Sequence, residues 1–498
     1  MPSKIKNLFI LAVWLILFSF GLSHSADQSF FDLYNLEVEG EIHNYLTGDF
    51  NGDQAIDVAI IYSPAGDANI RYIGLHMQKG AAGFSSGTDY LITLPPTAVQ
   101  VNAADIEKDG RSEIVFIDAD GVSVFKLTPT AGIAGPIRLI RLSTLYSFPL
   151  FHGIVTDAFI YDLVASPGLE IIVPSPKGYS VFERGDDGNY QILNQLSMPV
   201  FCQNAERSFS NFSGLGAAGI NIGLASITAA DGNLDGRPDL YFLWDRKVCG
   251  YFQDSTGNFP QTSDFELNLF PENIDAFVQS RLVDYNGDKR PDVACTFSSG
   301  GIISAETKIR FYPADLKGRI GPKLDKEISL SDSHCNLILN DYNHDGRGEL
   351  VVPAIELGAI AATKMLLMKK ADLHLLIYPL NNGFPEDEPA QRINYEFRFD
   401  FNQPVPTKEI TLDWTADYNG DGLMDLAFSP GSGRIQFFWG RNGEFLSRKA
   451  DLEIPLDHPS EIHPLHLNQG RYYDLIIEHN LSGRLDRLTV LRNKNNKV

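Results

Sequence analysis

Short runs that are apolar at every position recur along the chain, each entered through an acidic loop and left through a turn. Asp57-Val58-Ala59-Ile60-Ile61, Glu113-Ile114-Val115-Phe116-Ile117 and Asp239-Leu240-Tyr241-Phe242-Leu243 are clear examples. Runs this short, rich in β-formers and apolar on both faces, predict strands covered from both sides. The surrounding order is strand, acidic loop, buried strand, turn, strand, turn, outer strand. Residues Val99 to Asp105, Glu113 to Ile117, Val122 to Leu127 and Ile137 to Leu142 spell out one such unit. Each unit therefore predicts a four-stranded antiparallel sheet. One sheet cannot cover both of its own apolar faces, so the units must pack face to face and close into a ring, an all-β propeller. Length alone suggests about three domains, but the repeat overrides that expectation and makes residues 27–498 a single propeller.

The acidic loops follow Asp-x-Asn/Glu-x-Asp-x-x-x-Asp/Glu and occur six times. Positions 1, 3, 5 and 9 read Asp49, Asn51, Asp53, Asp57; Asp105, Glu107, Asp109, Glu113; and Asp231, Asn233, Asp235, Asp239. The other three read Asp284, Asn286, Asp288, Asp292; Asp341, Asn343, Asp345, Glu349; and Asp417, Asn419, Asp421, Asp425. Oxygen ligands two residues apart in a tight loop suit a hard cation with many oxygen ligands, Ca²⁺. One copy would be ordinary turn chemistry, but six in register predict about six structural calcium sites. An EF-hand is excluded, because its twelfth position needs a bidentate Glu, and here that position holds Ile60, Phe116, Phe242, Cys295, Val352 and Phe428. Position 6 favours a left-handed backbone and is Gly110, Gly236, Gly346 and Gly422 in four copies, with Gln54 and Lys289 departing.

Motif starts lie 53 to 57 residues apart in most neighbouring copies. The wider gap between Asp105 and Asp231 holds a worn copy from Asp162 to Glu170, and another runs from His466 to Asp474. That makes eight units. The last has three strands, ending with Arg487 to Arg492, and a spare strand near Phe31 to Glu39 is expected to complete it.

The run Asp417-Tyr418-Asn419-Gly420-Asp421-Gly422-Leu423-Met424-Asp425-Leu426 and its relatives resemble the FG-GAP and VCBS repeats of integrin-α-like propellers. The resemblance covers residues 27–498 and lies in the calcium half of the repeat, since Phe-Gly and Gly-Ala-Pro tags are missing. It implies Ca²⁺ in the loops and a role in recognition or adhesion. It also sets seven blades, the commonest number in that family, against the eight counted here.

Residues 1–26 carry Lys4 and Lys6, an apolar stretch from Leu8 to Phe20 and small polar residues, the layout of a secretory signal peptide. A secreted or extracytoplasmic chain, periplasmic or at the cell surface, is expected, with no membrane span in its mature part. The net charge is −22. Nineteen acids sit in the six loops, so metal loading accounts for much of the acidity and nucleic acid is not an expected partner. Cys202, Cys249, Cys295 and Cys335 allow three pairings, Cys202 with Cys249 being favoured, while Cys295 and Cys335 also fit buried free thiols. Asn211-Phe212-Ser213 and Asn480-Leu481-Ser482 are glycosylation sequons for a eukaryotic secretory route.

Alternating strand directions put all six acidic loops on one face of the ring. The two longest insertions, Met198 to Gly223 and Leu357 to Lys370, fall on the other. That face is the expected binding surface, with Phe201, Phe209, Phe212, Trp244 and Arg246 on or near it. Leu357 to Lys370 predicts a short amphipathic helix docked on its own propeller. Gly83-Phe84-Ser85-Ser86-Gly87 matches a nucleophile-elbow pattern without the strand-turn-helix context and reads as a hairpin loop. Arg184-Gly185-Asp186 reads as a turn, and His463 and His466 as structural histidines. No catalytic constellation stands out. The expected function is non-enzymatic recognition of an extracellular or cell-surface protein or glycan, with a polysaccharide lyase or hydrolase on the same scaffold as the alternative.

Overall fold

The computed structural model describes residues 30–496 apart from 68, 129–131, 147–153, 199–200, 206–218, 271–275, 302–303, 342–348, 382–383, 399–409, 431–432, 443–444, 448, 458, 469 and 482–483. Eight antiparallel sheets follow one another around a ring, so the repeat count of eight holds and seven does not. Blade one runs Gly40–Gly48, Asp57–Pro64, Arg71–His76 and Tyr90–Leu94, and blade two Gln100–Ala104, Glu113–Asp118, Gly121–Thr128 and Gly132–Arg141. Blade six is irregular at its inner edge, where Ser333–Cys335 and Ile338–Asn340 share one partner strand, Glu349–Glu356.

The reason the second strands are apolar at every position is visible in the packing. Successive side chains of a strand point to opposite faces. In blade one, Val58, Ile60 and Tyr62 pack toward blade eight, while Ala59 and Ile61 pack toward blade two. Eight clusters of buried apolar side chains result, one between each neighbouring pair of blades. Each fully buried Val or Ile contributes roughly 1.5–3 kcal/mol, so a polar substitution at Ile60 would weaken the contact that closes the ring.

Closure is by the expected spare strand. Phe31–Glu37 pairs with Arg484–Asn493 as the outer strand of blade eight, from Phe31 opposite Asn493 to Glu37 opposite Arg487. Blade eight is tied to blade one by the Ile56 N–H donating to the Leu467 carbonyl at 2.9 Å and by Gln78 Nε2 donating to the same oxygen at 2.9 Å.

Cys249, Cys295 and Cys335 are free and buried, which overturns the favoured Cys202–Cys249 pairing. Cys249 lies in the cluster between blades three and four, where burial pushes its thiol up to about 12. The side chain of Cys202 lies outside the described residues. No helix among the described residues is long and apolar enough to cross a membrane, and residues 1–26 lie outside them.

Candidate functional site

The acidic loops that are described in full share one hydrogen-bond pattern. In blade one, Asp49 Oδ1 accepts from the Gly52 and Asp53 N–H groups at 2.7 and 3.2 Å, and Oδ2 from the Gln54 N–H at 2.7 Å. Asn51 Oδ1 accepts from Asp53 N–H at 2.8 Å and Asp53 Oδ1 from Ala55 N–H at 2.9 Å. The first-position contacts recur at Asp105, Asp231, Asp284 and Asp417. Such bonds wind the chain around its own carboxylates. They require left-handed backbone at position 4 as well as position 6. Position 4 has φ between 54° and 79° at Gly52, Lys108, Leu234, Gly287 and Gly420, and position 6 between 67° and 90° at Gln54, Gly110, Gly236, Lys289 and Gly422. Asn-Gly at positions 3 and 4 of three copies was the available signal for the first of these.

The position-9 acid is buried in all eight blades: Asp57, Glu113, Glu170, Asp239, Asp292, Glu349, Asp425 and Asp474. It latches the loop to the sheet. Asp57 Oδ2 accepts from Phe50 N–H at 3.1 Å and Oδ1 from Gln78 N–H at 2.8 Å. Asp239 and Asp425 repeat both contacts, and so does Asp474 in the worn copy of blade eight, through Leu467 and Asn493. Glu170 in the worn copy of blade three keeps the first contact, from Leu163. The latch thus persists where most of the other loop ligands are gone. Burial raises Asp292 and Asp425 to about 8, Asp57 and Glu113 to about 7 and Asp239 to about 6, against the N–H donors and with neighbouring loop acids adding to the rise.

Charge balance separates the loops. In blade two, Glu107 is clasped by Lys126 and by Arg184, the latter at 2.7 Å. Glu107, Asp109 and Glu113 also bring their carboxylate oxygens within 4.8 Å of one another. Arg237 pairs with Asp235 in blade four and Arg290 with Asp288 at 3.6 Å in blade five. Among the described residues, the acids of the loops at 49–57 and 417–425 have no basic side chain in salt-bridge range. In blade six Asp341 and Glu349 are described, while Asn343 and Asp345 lie outside the described residues.

On the opposite face, the helix Ala359–Met368 joins the second and third strands of blade six. It does not lay its apolar residues on the propeller as expected. It approaches through the small Ala361 and Ala362 and through Met365, with Lys364 bound to Asp372 at 2.6 Å, and leaves Ile360 87 % exposed and Leu366, Leu367 and Met368 exposed beside it. Arg246 Nη2 donates to the Ala276 carbonyl at 2.8 Å, and Lys247 sits 5.9 Å over the Trp244 ring. The side chains of Phe201, Phe209 and Phe212 lie outside the described residues. Ser85 is in a hairpin loop, its hydroxyl donating to the Gly87 carbonyl. Arg184 of the Arg-Gly-Asp turn is engaged by Glu107, and His466 stacks on Tyr473 at 4.0 Å. His463 lies instead between two carboxylates, Glu461 and Glu478, on the wall of a cavity. That grouping was missed because Glu478 comes from the neighbouring strand.

No family model and no curated protein sequence matches the chain. Among solved structures it is similar to an Agrocybe aegerita lectin that recognises non-reducing terminal N-acetylglucosamine, with 14% identity, TM-score 0.41, and coverage of 74% of this chain and 95% of that one. It is similar to the Dos1 propeller, with 9% identity, TM-score 0.44 and coverage of 94% and 96%. It is also similar to the V. cholerae biofilm matrix protein Bap1, with 12% identity, TM-score 0.34 and coverage of 94% and 91%.

Proposed function

We propose that this propeller is a calcium-stabilised recognition module, exported by its N-terminal segment, that presents the face opposite its acidic loops to a protein or glycan. The observation that carries the reading is the pair of loops at 49–57 and 417–425, whose acids have no basic side chain in salt-bridge range among the described residues. Their donors are carboxylate and amide oxygens only, the set a hard cation takes. Burial raises the proton affinity of Asp57 and Asp425, and the neighbouring acids Asp49 and Asp53, and Asp417, add smaller rises, so a nearby positive charge would favour the ionised forms. Calcium bound there would neutralise the acids and pin the loops, as the FG-GAP/VCBS resemblance implies. Affinities of roughly 10⁻⁴ to 10⁻³ M suit an extracellular module. The recognition half draws on the exposed apolar edge of the helix Ala359–Met368, a surface suited to a protein partner.

Metal analysis and melting of the purified protein in millimolar Ca²⁺ and in EDTA test the calcium reading. Several bound ions and a lower melting temperature in EDTA are expected; an unchanged melt of metal-free protein overturns it. Binding to a glycan array and crosslinking to protein partners test recognition, and a folded, calcium-loaded protein that captures neither argues against it. A polysaccharide-active enzyme is the second reading, favoured by His463 and Tyr45 on one cavity wall. Turnover of a bound glycan, abolished by His463→Ala, would replace the first reading.

A further inference from the structure

We infer that Glu461, His463 and Glu478 form a binding site for one transition-metal ion of the Zn²⁺ class in the central channel, apart from the acidic loops. The site follows from strand geometry. Pro459–Leu465 is the innermost strand of blade eight, at the sheet edge away from the closing strand. Glu461 and His463 are two residues apart on it and project from the same face. Glu478 stands directly opposite Glu461 on the next strand, and so joins them.

Two of the three donor separations already match the edge of a tetrahedral site. His463 Nε2 lies 3.3 Å from Glu478 Oε1 and 3.5 Å from Glu461 Oε2, and the three donor atoms all fall within 4.8 Å of one another. Zinc bonds to imidazole nitrogen and carboxylate oxygen of about 2.1 Å give a tetrahedron with edges of about 3.4 Å. His463 Nε2 is shielded from solvent and faces both carboxylates at ion-pair distance without a well-aligned hydrogen bond to either. The ring is steadied edge-on by Tyr45, 5.6 Å between centroids.

The donor set also discriminates. Calcium takes six to eight oxygens, whereas one imidazole with two carboxylates is a zinc-type set that leaves a fourth position open. That position would face a cavity of about 520 Å³ lined by Asn44, Asn102 and Thr156. Its polar wall is prearranged, with Asn44 Nδ2 donating to Thr156 Oγ1 at 2.9 Å and Asn102 Nδ2 to the Thr156 carbonyl at 3.3 Å. Water or an oxygen of a small polar ligand would complete the ion.

The test is calorimetric titration of Zn²⁺ into calcium-saturated full-length protein, repeated with His463→Ala and with the isosteric Glu478→Gln. Co²⁺ absorption reports tetrahedral nitrogen and oxygen coordination on the same samples. One Zn²⁺ per chain is expected in the parent, with a tetrahedral Co²⁺ spectrum, both lost in His463→Ala and weakened in Glu478→Gln. Circular dichroism and an unchanged calcium count establish that the variants fold. No Zn²⁺ uptake by the parent overturns the assignment and leaves an imidazole between two carboxylates. Uptake undiminished in both variants overturns it equally. Calcium is counted separately, so the zinc site and the calcium loops can fail independently.

Discussion

In blade seven, Asp417, Asp421 and Asp425 have no basic side chain in salt-bridge range among the described residues, and Asp417 adds a small rise to the proton affinity of Asp425. In blade two the same loop backbone carries a longer acid at position 3, Glu107, which pairs with Lys126 and Arg184 while its carboxylate stays within 4.8 Å of those of Asp109 and Glu113. The hydrogen bonds that the first-position Asp accepts from the backbone N–H of position 6 are alike: Asp105 Oδ2 accepts from Gly110 at 2.8 Å and Asp417 Oδ2 from Gly422 at 2.8 Å. The loop fold is therefore separable from its charge balance. Basic residues outside the motif, as in blade two, or at its position 7, as at Arg237 and Arg290, decide whether the acids of a loop are paired.

The largest effect should come from the latches. Asp425 accepts from the Tyr418, Asn419 and Gly440 N–H groups, whereas Glu113 accepts from that of Ile106. At 1–3 kcal/mol per buried group left unpaired, Asp425→Ala should cost about 3 kcal/mol or more and Glu113→Ala about 1–2 kcal/mol. Urea unfolding of the two variants measures this, and equal losses would break the distinction. Next comes the ion itself. Asp421→Ala should release one Ca²⁺ and lower stability by about 1.4 kcal/mol where calcium stands at about ten times its Kd. Asp109→Ala should release none, and Lys126→Ala should open blade two to calcium. Metal counts on the three proteins would contradict this if blade two lost an ion as readily as blade seven.

A smaller effect follows from protonation in the metal-free protein. Asp425 is raised from 3.8 to about 8 and Glu113 from 4.5 to about 7, both chiefly by burial. The folded state then keeps protons that the unfolded chain releases. Stability should be full below about pH 4 and fall as pH rises toward 7 and 8, with calcium flattening the slope. Asp425→Asn should remove its own share of that fall, between about pH 4 and 8, and leave the share of Asp292; melting temperatures in EDTA that rise with pH would refute it. The smallest effect concerns position 4. A Cβ at Gly420 would come within 2.0 Å of the Tyr472 ring, so Gly420→Ala should destabilise. Lys108→Gly should gain under about 1 kcal/mol by relieving a left-handed lysine, net of its ion pair to Asp162. Thermal melts of both variants decide.

Much of the ring was legible because its interfaces are built from alternation within single strands. Runs such as Asp57 to Ile61 announce two packed faces, and the missing fourth strand after Arg492 announces its replacement near Phe31. The left-handed position 4 was half hidden, since Gly52, Gly287 and Gly420 signal it but Lys108 and Leu234 do not. The clamp on Glu107 was not legible, because residues 126 and 184 meet it only through the packing of blade two against blade three. The helix at 359–368 misled for a related reason. Its attachment uses alanines and a lysine, and its largest apolar residues stay outside.

The closing strand has a mechanical consequence. Phe31 and Asn493 lie side by side at the same end of the paired strands. Tension applied through the segments that flank them would load the pair one hydrogen bond at a time, as in opening a zip, rather than shearing all of them together. The ring would yield at that seam first, under a force set by single bonds, while the other seven blades stayed folded.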